Sequence, residues 1–369
     1  MKRFFFSTGE ASGELSATVL ADAIARVLPD ASFAGIGSER MQEAGFDLMW
    51  NTRGWSSMGP LGALSRIPKL TAILFATASR LLRHPADLVV LVDFGAFNVR
   101  LARLLRRFGY AGSLLYFFPP GAWLDNLRVA QIVAAHTAPL TPFKHQRDFY
   151  RAADLPVAYF GHPLAGLYTM RRSRPAPPYD GGTIALLPGS RRGELTYHVP
   201  ILLRAARRLQ IVRPNAQFIA GAADRQAKRF IAQTAQRCRF DGIHIVDSAI
   251  EALESADGAW IASGTAVLQA ALLGVPNVAF YVVSAATARI ARRVYRGPYI
   301  SIPNLVLRRA AIPELLQEAA TPENLAQSLH TTLQNPDCQY AAFTELRTAL
   351  GPADALAQCA DFAVRLSGS

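Results

Sequence analysis

The sequence predicts an α/β fold made of two doubly wound, Rossmann-like domains that face a cleft. A chain of 369 residues is too long for a single pair of packed layers, so two domains are expected. Short β-type runs alternate with amphipathic stretches in both halves, which is typical of parallel sheets covered by helices on both faces. A proline-rich segment without periodicity, RRSRPAPPYDGG (171–182), predicts a linker between the halves.

The first half, residues 1–170, contains five candidate strands separated by candidate helices. The β-type runs are Arg3–Ser7, Ser32–Ile36, Leu88–Asp93, Ser113–Phe117 and Pro156–Phe160. Helical spacing of apolar residues predicts helices such as Leu15–Val27 and Val99–Phe108. The regular alternation favours a parallel sheet in this half.

The second half, residues 183–344, repeats the same alternation. Its β-type runs are Thr183–Leu187, Gln217–Gly221, Gly242–Val246, Gly258–Ile261 and Asn277–Tyr281. A helix is predicted near Val199–Arg213. The remaining residues, 345–369, include a stretch of helical period from Glu345 to Leu366, and the pattern leaves open whether it packs back on the first domain.

Charge and cysteine usage limit the classes of partner. Lys and Arg outnumber Asp and Glu by 39 to 27, a net charge of +12, which favours an anionic partner. Because RNA-recognition modules and zinc-finger spacings are absent from the sequence, phosphorylated small molecules or lipids are expected rather than nucleic acid. The 3 cysteines predict neither a disulfide framework nor a metal site.

A long uncharged run, Ala259–Ala288, raises the question of a membrane span. Gly264, Gln269, Gly274 and Pro276 interrupt it at intervals that suit a strand, a turn and a helix. We therefore expect a buried part of an α/β domain and no spanning helix.

The first turn of interest is STGEASGE (7–14), which follows the first predicted strand. In open parallel sheets ligands bind where strands end and helices begin. Gly9 and Gly13 permit close approach to the backbone, while Glu10 and Ser12 offer polar side chains. The alternative is a tight strand-to-helix turn capped by Ser12.

The second turn is PGSRRGE (188–194), after the first strand of the second half. Gly189 and Ser190 are expected to leave backbone N–H and hydroxyl donors free, and the planar Arg191 guanidinium suits phosphate oxygens. The alternative is a solvated basic turn.

The third turn opens SGTAVLQAALLGVP (263–276). Ser263, Gly264 and Thr265 lie where a helix N-terminus attracts a diphosphate, and Gln269, about one turn further, is expected to face the same ligand. The alternative is a buried helix capped by Ser or Thr.

Eight motifs in order make the chain similar to one family over about residues 4–330. They are GEASGE (9–14), GIGSERMQEAGFD (35–47), SSMGPLGAL (56–64), VDFGAFN (92–98), GHPLA (161–165), LLPGSRRGEL (186–195), SGTAVLQAALLGVP (263–276) and PYISIPNLVLRRAAIPELLQEAATPENL (298–325). The chain resembles the lipid-A-disaccharide synthases, inverting glycosyltransferases of the GT-B fold. The resemblance implies transfer of 2,3-diacylglucosamine from UDP to 2,3-diacylglucosamine 1-phosphate, giving a β-1,6-linked disaccharide and UDP.

The resemblance also implies where the partners bind. UDP-diacylglucosamine and the acylated glucosamine phosphate are the expected partners, with no cofactor and no metal, and no Asp-x-Asp sequence occurs. The UDP-sugar would be held by the second domain, through Gly189, Ser190, Arg191, Glu194, Ser263, Gly264, Thr265, Gln269 and Asn304. A cytoplasmic location at the inner face of the inner membrane is implied, and a homodimer is left open.

The first domain is expected to hold the acceptor and the chemistry. Asp93 matches the first Asp of the family pattern D-x-P-D-F-N and is the expected general base, with Glu10 and Ser12 beside it. A helix N-cap or structural hydrogen-bonding group is the other interpretation of Asp93. The expected acceptor-binding residues are Gly9, Gly13, Met58, Asn98 and Asn126.

Several positions depart from the family pattern. Ala96 replaces the second Asp, Gln269 replaces a Glu expected to bind the ribose hydroxyls, and Asp125 stands where the family has Arg. These changes keep two alternatives open. One is a diverged relative that binds a UDP-sugar or glycolipid without catalysis or with another acceptor. The other is a different nucleotide-sugar enzyme, such as an epimerase.

Residues 60–84, PLGALSRIPKLTAILFATASRLLRH, combine apolar and basic residues at roughly helical spacing. The apolar ones are Leu61, Leu64, Ile67, Leu70 and Leu74, and the basic ones are Arg66, Lys69, Arg80 and Arg83. Such a segment suits an anionic membrane surface. Pro68 predicts two short helices, and a core-facing helix is the alternative.

Overall fold

The computed structural model describes residues 1–52, 55, 67–120, 126–170, 178–295 and 297–368. The chain divides into two compact units of similar size. The first unit contains Met1–Leu167 and Leu350–Ser369, and the second contains Tyr168–Ala349. Met58 and Asp125, as well as residues 60–66 and 171–177, lie outside the described part of the chain.

Within the described residues, the first unit contains a six-stranded parallel sheet with the order β3-β2-β1-β4-β5-β6. Its strands are β1 Arg3–Ser7, β2 Ser32–Gly37, β3 Asp47–Asn51, β4 Leu88–Val92, β5 Ser113–Phe117 and β6 Ala138–Leu140. Its helices are α1 Ala11–Val27, α2 Glu39–Glu43, α3 Ile67–Arg83, α4 Gly95–Arg107, α5 Leu127–His136 and α6 Lys144–Ala152.

In the described part of the second unit, another six-stranded parallel sheet has the order β12-β11-β10-β7-β8-β9. Its strands are β7 Gly181–Leu187, β8 Asn215–Gly221, β9 Ile243–Val246, β10 Gly258–Ala262, β11 Asn277–Tyr281 and β12 Glu314–Leu316. The helices are α7 Arg192–Val212, α8 Arg225–Arg237, α9 Ala249–Ser255, α10 Thr265–Leu273, α11 Ala285–Val294, α12 Ile302–Leu307, α13 Pro322–Gln334 and α14 Asp337–Leu350. The last helix, α15 Ala355–Leu366, belongs to the first unit.

The burial pattern explains why the first sheet is covered on both faces. Alternate residues of a strand point to opposite faces. In β1, Phe4 and Phe6 pack with α1 and α15, whereas Phe5 packs with α3, α4 and α5. All five residues of β4, LVVLV, are fully buried, so its continuous apolar run is what a central parallel strand requires.

Each sheet has a topological switch point, where the direction of winding reverses. In the first unit it lies between β1 and β4, and in the second between β7 and β10. In the first sheet Ser7 of β1 pairs with Leu91 of β4, so the turns after these two strands lie side by side. In the second sheet Leu187 of β7 pairs with Ile261 of β10, so the turns after these two strands also lie side by side. Ligands of open α/β sheets bind at the carboxyl ends of strands at such points.

The structure corrects several predicted elements. The predicted strand Pro156–Phe160 is wrong, because these residues form only an isolated bridge between Leu140 and Ala158. The short strands β3, β6 and β12 were not predicted. Pro68 does not interrupt the described helix, since it lies in the first turn of α3, where a missing N–H costs no hydrogen bond. The predicted helix Glu345–Leu366 is divided at Gly351, whose φ is +109°.

Each of the described helices is too short or too polar to cross a membrane. The uncharged run that raised the question contains β10, α10 and β11 in succession. The helix α10 is buried on nearly all sides, which accounts for its uniformly apolar sequence.

Candidate functional site

The turn after β4 has an unusual backbone. Asp93 and Phe94 have consecutive positive φ angles of +47° and +44°, a left-handed conformation that costs a non-glycine residue about 1–2 kcal/mol. Such strain persists only where the surrounding structure imposes it, and it is concentrated at functional sites. The Asp93 side chain is exposed at this carboxyl edge of the sheet.

Hydrogen bonds hold both polar groups of the Asp93 backbone. Its N–H donates to Phe117 O at 3.1 Å. Its carbonyl accepts from the Tyr116 hydroxyl at 2.8 Å and from Asn98 Nδ2 at 3.1 Å. Burial, followed by the Asp93 charge, raises the pKa of Tyr116 well above 10, so this hydroxyl remains a donor. The strained turn is therefore firmly positioned.

Asn98 lies beneath the turn and is fully buried. Its Nδ2 donates to Ser7 O at 3.0 Å, Val92 O at 3.2 Å and the Asp93 carbonyl, and its Oδ1 accepts from Ser7 Oγ at 2.6 Å. The amide thus joins the ends of β1 and β4. This geometry argues against the direct acceptor contact that the resemblance implied, and it gives Asn98 a positioning role.

The turn after β1 differs from its expected arrangement. A Cβ at Gly9 would lie 2.6 Å from Phe94 Cδ1, so the space beside Gly9 is filled by the Phe94 ring. Glu10 is the N-cap of α1, with no side-chain capping bond, so the alternative of a Ser12 cap is wrong. Glu10 and Ser12 are half-buried in the first turn, and Gly13 is buried at ordinary contact distance from Val92 O.

Glu14, the last residue of GEASGE (9–14), has a structural role that the sequence did not predict. Its buried carboxylate accepts from Ser38 Oγ at 2.5 Å and from Thr52 Oγ1 at 3.1 Å. It therefore links the first turn of α1 to the ends of β2 and β3. Asn126, another expected acceptor residue, is exposed and caps α5 through Val129 N at 3.2 Å.

In the second unit, Glu194 organises the turn after β7. Its Oε2 accepts from the N–H groups of Ser190 at 3.0 Å and Arg191 at 3.1 Å, and its Oε1 accepts from Tyr281 Oη at 2.9 Å. The expectation that the Ser190 N–H is a free donor is therefore wrong. Because a carboxylate repels phosphate, Glu194 is better suited to shaping this turn than to touching UDP.

The shape of this turn also depends on Gly189, with a φ of +101°. A side chain there would overlap the Glu194 carboxylate. Arg191 is paired with Glu194 at 3.3 Å, and its side chain is 38% exposed. Burial and then the Glu194 charge raise the pKa of Tyr281 to about 12.

His198, which sequence reasoning missed, connects the turn to the residue that follows β11, two strands away from β7 in the sheet. Its Nδ1 lies 2.7 Å from Pro188 O, and its Nε2 accepts from Val282 N at 3.1 Å. Burial lowers the pKa of His198 despite these hydrogen bonds, so the neutral ring is favoured. Its position four residues after Glu194 on α7 places both side chains on one helical face.

The turn after β10 contains an exposed helix start. Gly264 is the N-cap of α10, without a side-chain capping bond, so a Ser or Thr cap is not what begins this helix. Gly264 is exposed, with open space around its Cα, and Ser263 and Thr265 are half-buried beside it. Ser263 Oγ donates to Ile300 O at 3.3 Å. In the first turn of α10, the Val267 N–H donates to Gly264 O at 3.2 Å, and the N–H groups nearer the N-cap have no preceding helical turn to bond to.

Two residues that we expected to contact a ligand at this turn are instead buried and hydrogen-bonded to other protein groups. Gln269 is 6% exposed and donates through Nε2 to Tyr168 Oη at 2.8 Å. Asn304 is fully buried, where it donates to Ile312 O and Glu314 Oε1, each at 2.8 Å, and accepts from two backbone N–H groups. Both geometries argue for positioning roles rather than for direct contact with a ligand.

Among the described residues, no group of three or more His, Cys, Asp or Glu side chains is arranged to hold a metal ion. The exposed or partly exposed polar groups at the two switch points include the Asp93 carboxylate, the Arg191 side chain and the start of α10 at Gly264. Donors of this kind suit a phosphorylated ligand, and an exposed carboxylate suits proton transfer.

Two Rossmann-type units with polar turns at their switch points define a two-domain α/β protein of the GT-B class. Solved structures with this fold include S. aureus MnaA with UDP, at a TM-score of 0.63, 13% identity and coverage of 96% of this chain and 94% of that one. Arabidopsis thaliana UGT89C1 complexed with quercetin also has a TM-score of 0.63 and 13% identity, covering 99% of each chain. At this identity the likeness establishes the fold alone.

The family follows from sequence. The lipid-A-disaccharide synthetase family model matches residues 4–351, and the chain belongs to this family. It is 34% identical over 366 residues to the lipid-A-disaccharide synthase of Pseudomonas aeruginosa strain UCBPP-PA14, covering 97% of this chain and 96% of the relative. Identity to the Azotobacter vinelandii enzyme is 35% over 352 residues, covering 93% and 92%. The chain is therefore a glycosyltransferase of lipid A biosynthesis.

Proposed function

We propose that this enzyme transfers 2,3-diacylglucosamine from UDP to 2,3-diacylglucosamine 1-phosphate, with inversion, to form a β-1,6-linked disaccharide and UDP. The observation that carries the proposal is the exposed Asp93 carboxylate in a strained, hydrogen-bonded turn at the β1–β4 switch point. The family relationship supports the reaction class. The proposal assigns acceptor activation to the first unit and donor binding to the second.

In the proposed reaction, the acceptor hydroxyl attacks the anomeric carbon and loses its proton to the Asp93 carboxylate. The bond between the anomeric carbon and the diphosphate oxygen breaks at the same time, and UDP leaves with the bonding electrons. General-base assistance of this kind is worth about 100- to 10,000-fold in rate. Asn98 and Tyr116 keep the carboxylate in place by holding its backbone.

The departing diphosphate gains negative charge, which the second unit is suited to stabilise. Arg191 supplies a cationic fork, and the α10 N-terminus supplies backbone N–H groups and the positive end of its dipole. Electrostatic groups of this kind lower the barrier because they are oriented before the charge develops.

The test is Asp93→Asn, with Asp154→Asn as the matched control. Asp154 is also exposed and has a positive φ of +55°, and Asn tolerates this conformation, so both changes remove one charge without new strain. We expect Asp93→Asn to lower UDP release and disaccharide formation by about 100- to 10,000-fold, with UDP affinity unchanged. An active Asp93→Asn enzyme would eliminate the proposed base.

A second candidate function is nucleotide or glycolipid binding without turnover. It is favoured by the commitment of the Ser190 and Arg191 N–H groups to Glu194 and of Gln269 to Tyr168. Mass spectrometry of the product formed by the unaltered chain separates the two functions. UDP binding with no disaccharide from any acylated glucosamine acceptor would establish the second one.

Acylated substrates reside in a bilayer, so we also propose peripheral attachment to the cytoplasmic face of the inner membrane. On α3, the side chains of Ile73, Leu74 and Leu81 are buried in the core. The same helix exposes 53% of Ile67 and 54% of Phe75. The helix therefore packs one face against the core, and it leaves Phe75 and its first residue, Ile67, partly exposed to solvent.

A further inference from the structure

The helical layer formed by α3, α4 and α5 carries charge of one sign. These helices contain three, four and one Lys or Arg residues, respectively, and no Asp or Glu. The opposite layer, formed by α1, α2 and α15, contains acidic and basic residues together. One face of the first unit is therefore a cationic surface, which the proposed reaction does not require.

A depression of about 490 Å³ lies in this layer. Its lining combines apolar and basic side chains from all three helices: Leu74, Arg100, Arg103, Leu104, Arg107 and His136, with Arg106 beside them. A volume of this size accommodates a phosphate group with part of its attached organic moiety.

The arginines of the depression have two different roles. Arg106 donates to Tyr110 O at 2.6 Å, Gly112 O at 2.9 Å and His136 O at 3.1 Å, so it holds α4 against neighbouring backbone. Arg100, Arg103 and Arg107 follow the i, i+3, i+7 spacing, which places them on one stripe of α4. In the described part of the chain, no ion pair neutralises these three guanidinium groups.

The local potential is consequently positive. Burial lowers the pKa of His136, and the charges of Arg103 and Arg106 lower it further. Arginine guanidinium groups match phosphate oxygens in geometry as well as in charge. An anionic group is therefore the ligand that this depression favours.

We propose that the depression binds the phosphate group of an anionic membrane phospholipid and so orients the first unit on the bilayer. Phe75 on α3 is 54% exposed, so the same helical layer also offers solvent an apolar side chain that can enter the acyl region. The inference rests on the proposed use of acylated substrates. Arg103 and Arg107 lie eight and twelve residues beyond Gly95, about 12 and 18 Å along α4, whereas Arg100 lies about 8 Å along the helix and donates to Ala96 O. The depression therefore extends away from the Asp93 turn, with Arg100 at its near end.

The test compares two triple variants with the same loss of charge. Arg100→Gln/Arg103→Gln/Arg107→Gln removes the stripe, and Arg204→Gln/Arg225→Gln/Arg229→Gln removes three exposed arginines of the second unit. Arg106 is left intact because its hydrogen bonds support the fold. Binding is measured by sedimentation with vesicles of phosphatidylglycerol and phosphatidylethanolamine, with and without millimolar inorganic phosphate. Turnover is measured on short-chain, water-soluble substrates.

We expect the stripe variant to lose roughly 100-fold in affinity for the anionic vesicles, while the control variant loses much less. Both should turn over soluble substrates as the unaltered enzyme does. Equal losses in the two variants, or no loss in either, would overturn the inference. Displacement of the enzyme from vesicles by inorganic phosphate would also overturn it, because it would indicate a site for small anions. A fall in turnover of soluble substrates in the stripe variant alone would overturn it as well, because it would place the stripe in the active site. If the unaltered enzyme lacks turnover, the proposed function fails but the vesicle comparison still decides the lipid site.

Discussion

Substituting Gly9 by alanine tests whether this glycine makes room for Phe94 or for the acceptor. The added Cβ would meet the root of the Phe94 ring, with Cδ1 at 2.6 Å. The ring cannot simply turn aside, because it packs against Phe97 at 5.4 Å and Trp55 at 6.2 Å between ring centroids. The overlap must therefore move the strained turn that contains Phe94.

The expected cost of Gly9→Ala is about 1–3 kcal/mol in the free energy of unfolding, the usual range for overpacking. Asp93 directly precedes Phe94, so its carboxylate moves with the turn. A displacement of about 1 Å near reacting atoms lowers a rate by about 100-fold. UDP affinity should be unchanged, because the proposed donor-binding residues belong to the second unit.

A double-mutant cycle with Phe94→Ala isolates the overlap. Removing the ring removes the reason for the cost, so the double variant should be more stable than the sum of the single effects predicts, by at least about 1 kcal/mol. Denaturant unfolding measures stability, and UDP release measures turnover. Gly13→Ala is the stability control, since its added methyl makes only ordinary contacts, the nearest at 3.7 Å from Val92 O.

Strict additivity of the two substitutions would refute the packing explanation. A Gly9→Ala enzyme of normal stability that loses only acceptor affinity would instead restore the acceptor-binding role inferred from the sequence. Full activity and stability would show that neither role applies.

The remaining predictions concern two ionisable groups. Glu194→Gln should destabilise the second unit by about 1–3 kcal/mol through weaker bonds to Ser190 and Arg191. It should also lower the pKa of Tyr281 from about 12, while burial keeps that pKa above 10; an unchanged ultraviolet titration of Tyr281 would contradict this. Burial lowers the pKa of His162 from 6.5 to about 3, so the unfolded chain takes up its proton first as the pH falls. The free energy of unfolding should therefore fall below about pH 6.5, by up to about 1.4 kcal/mol per pH unit. The His162→Gln variant should show a smaller slope. If the free energy of unfolding falls with pH in parallel in the variant and in the unaltered protein, His162 is not the cause.

Much of the fold was predictable because parallel strands buried on both faces have a local signature. The runs Arg3–Ser7, Ser113–Phe117 and Asn277–Tyr281 have the same bounds in the structure as in the prediction. Edge strands such as β6 and β12 are only three residues long, and they become strands through pairing with a neighbour rather than through their own pattern. The same local pattern made Pro156–Phe160 look like a strand, although only Ala158 finds a bridging partner.

The order of its apolar runs and turns was enough to determine this protein's two α/β halves and the four strand ends that carry polar side chains, and its sequence motifs were enough to indicate its family. Only the tertiary structure decided which of those groups face outward, as Asp93 does, and which are held inside, as Asn98 and Asn304 are. The physical reason is that a buried polar group must find hydrogen-bond partners, and these come from distant parts of the chain: Asn98 bonds Ser7 across 91 positions. Spacing along the sequence does not reveal such pairings.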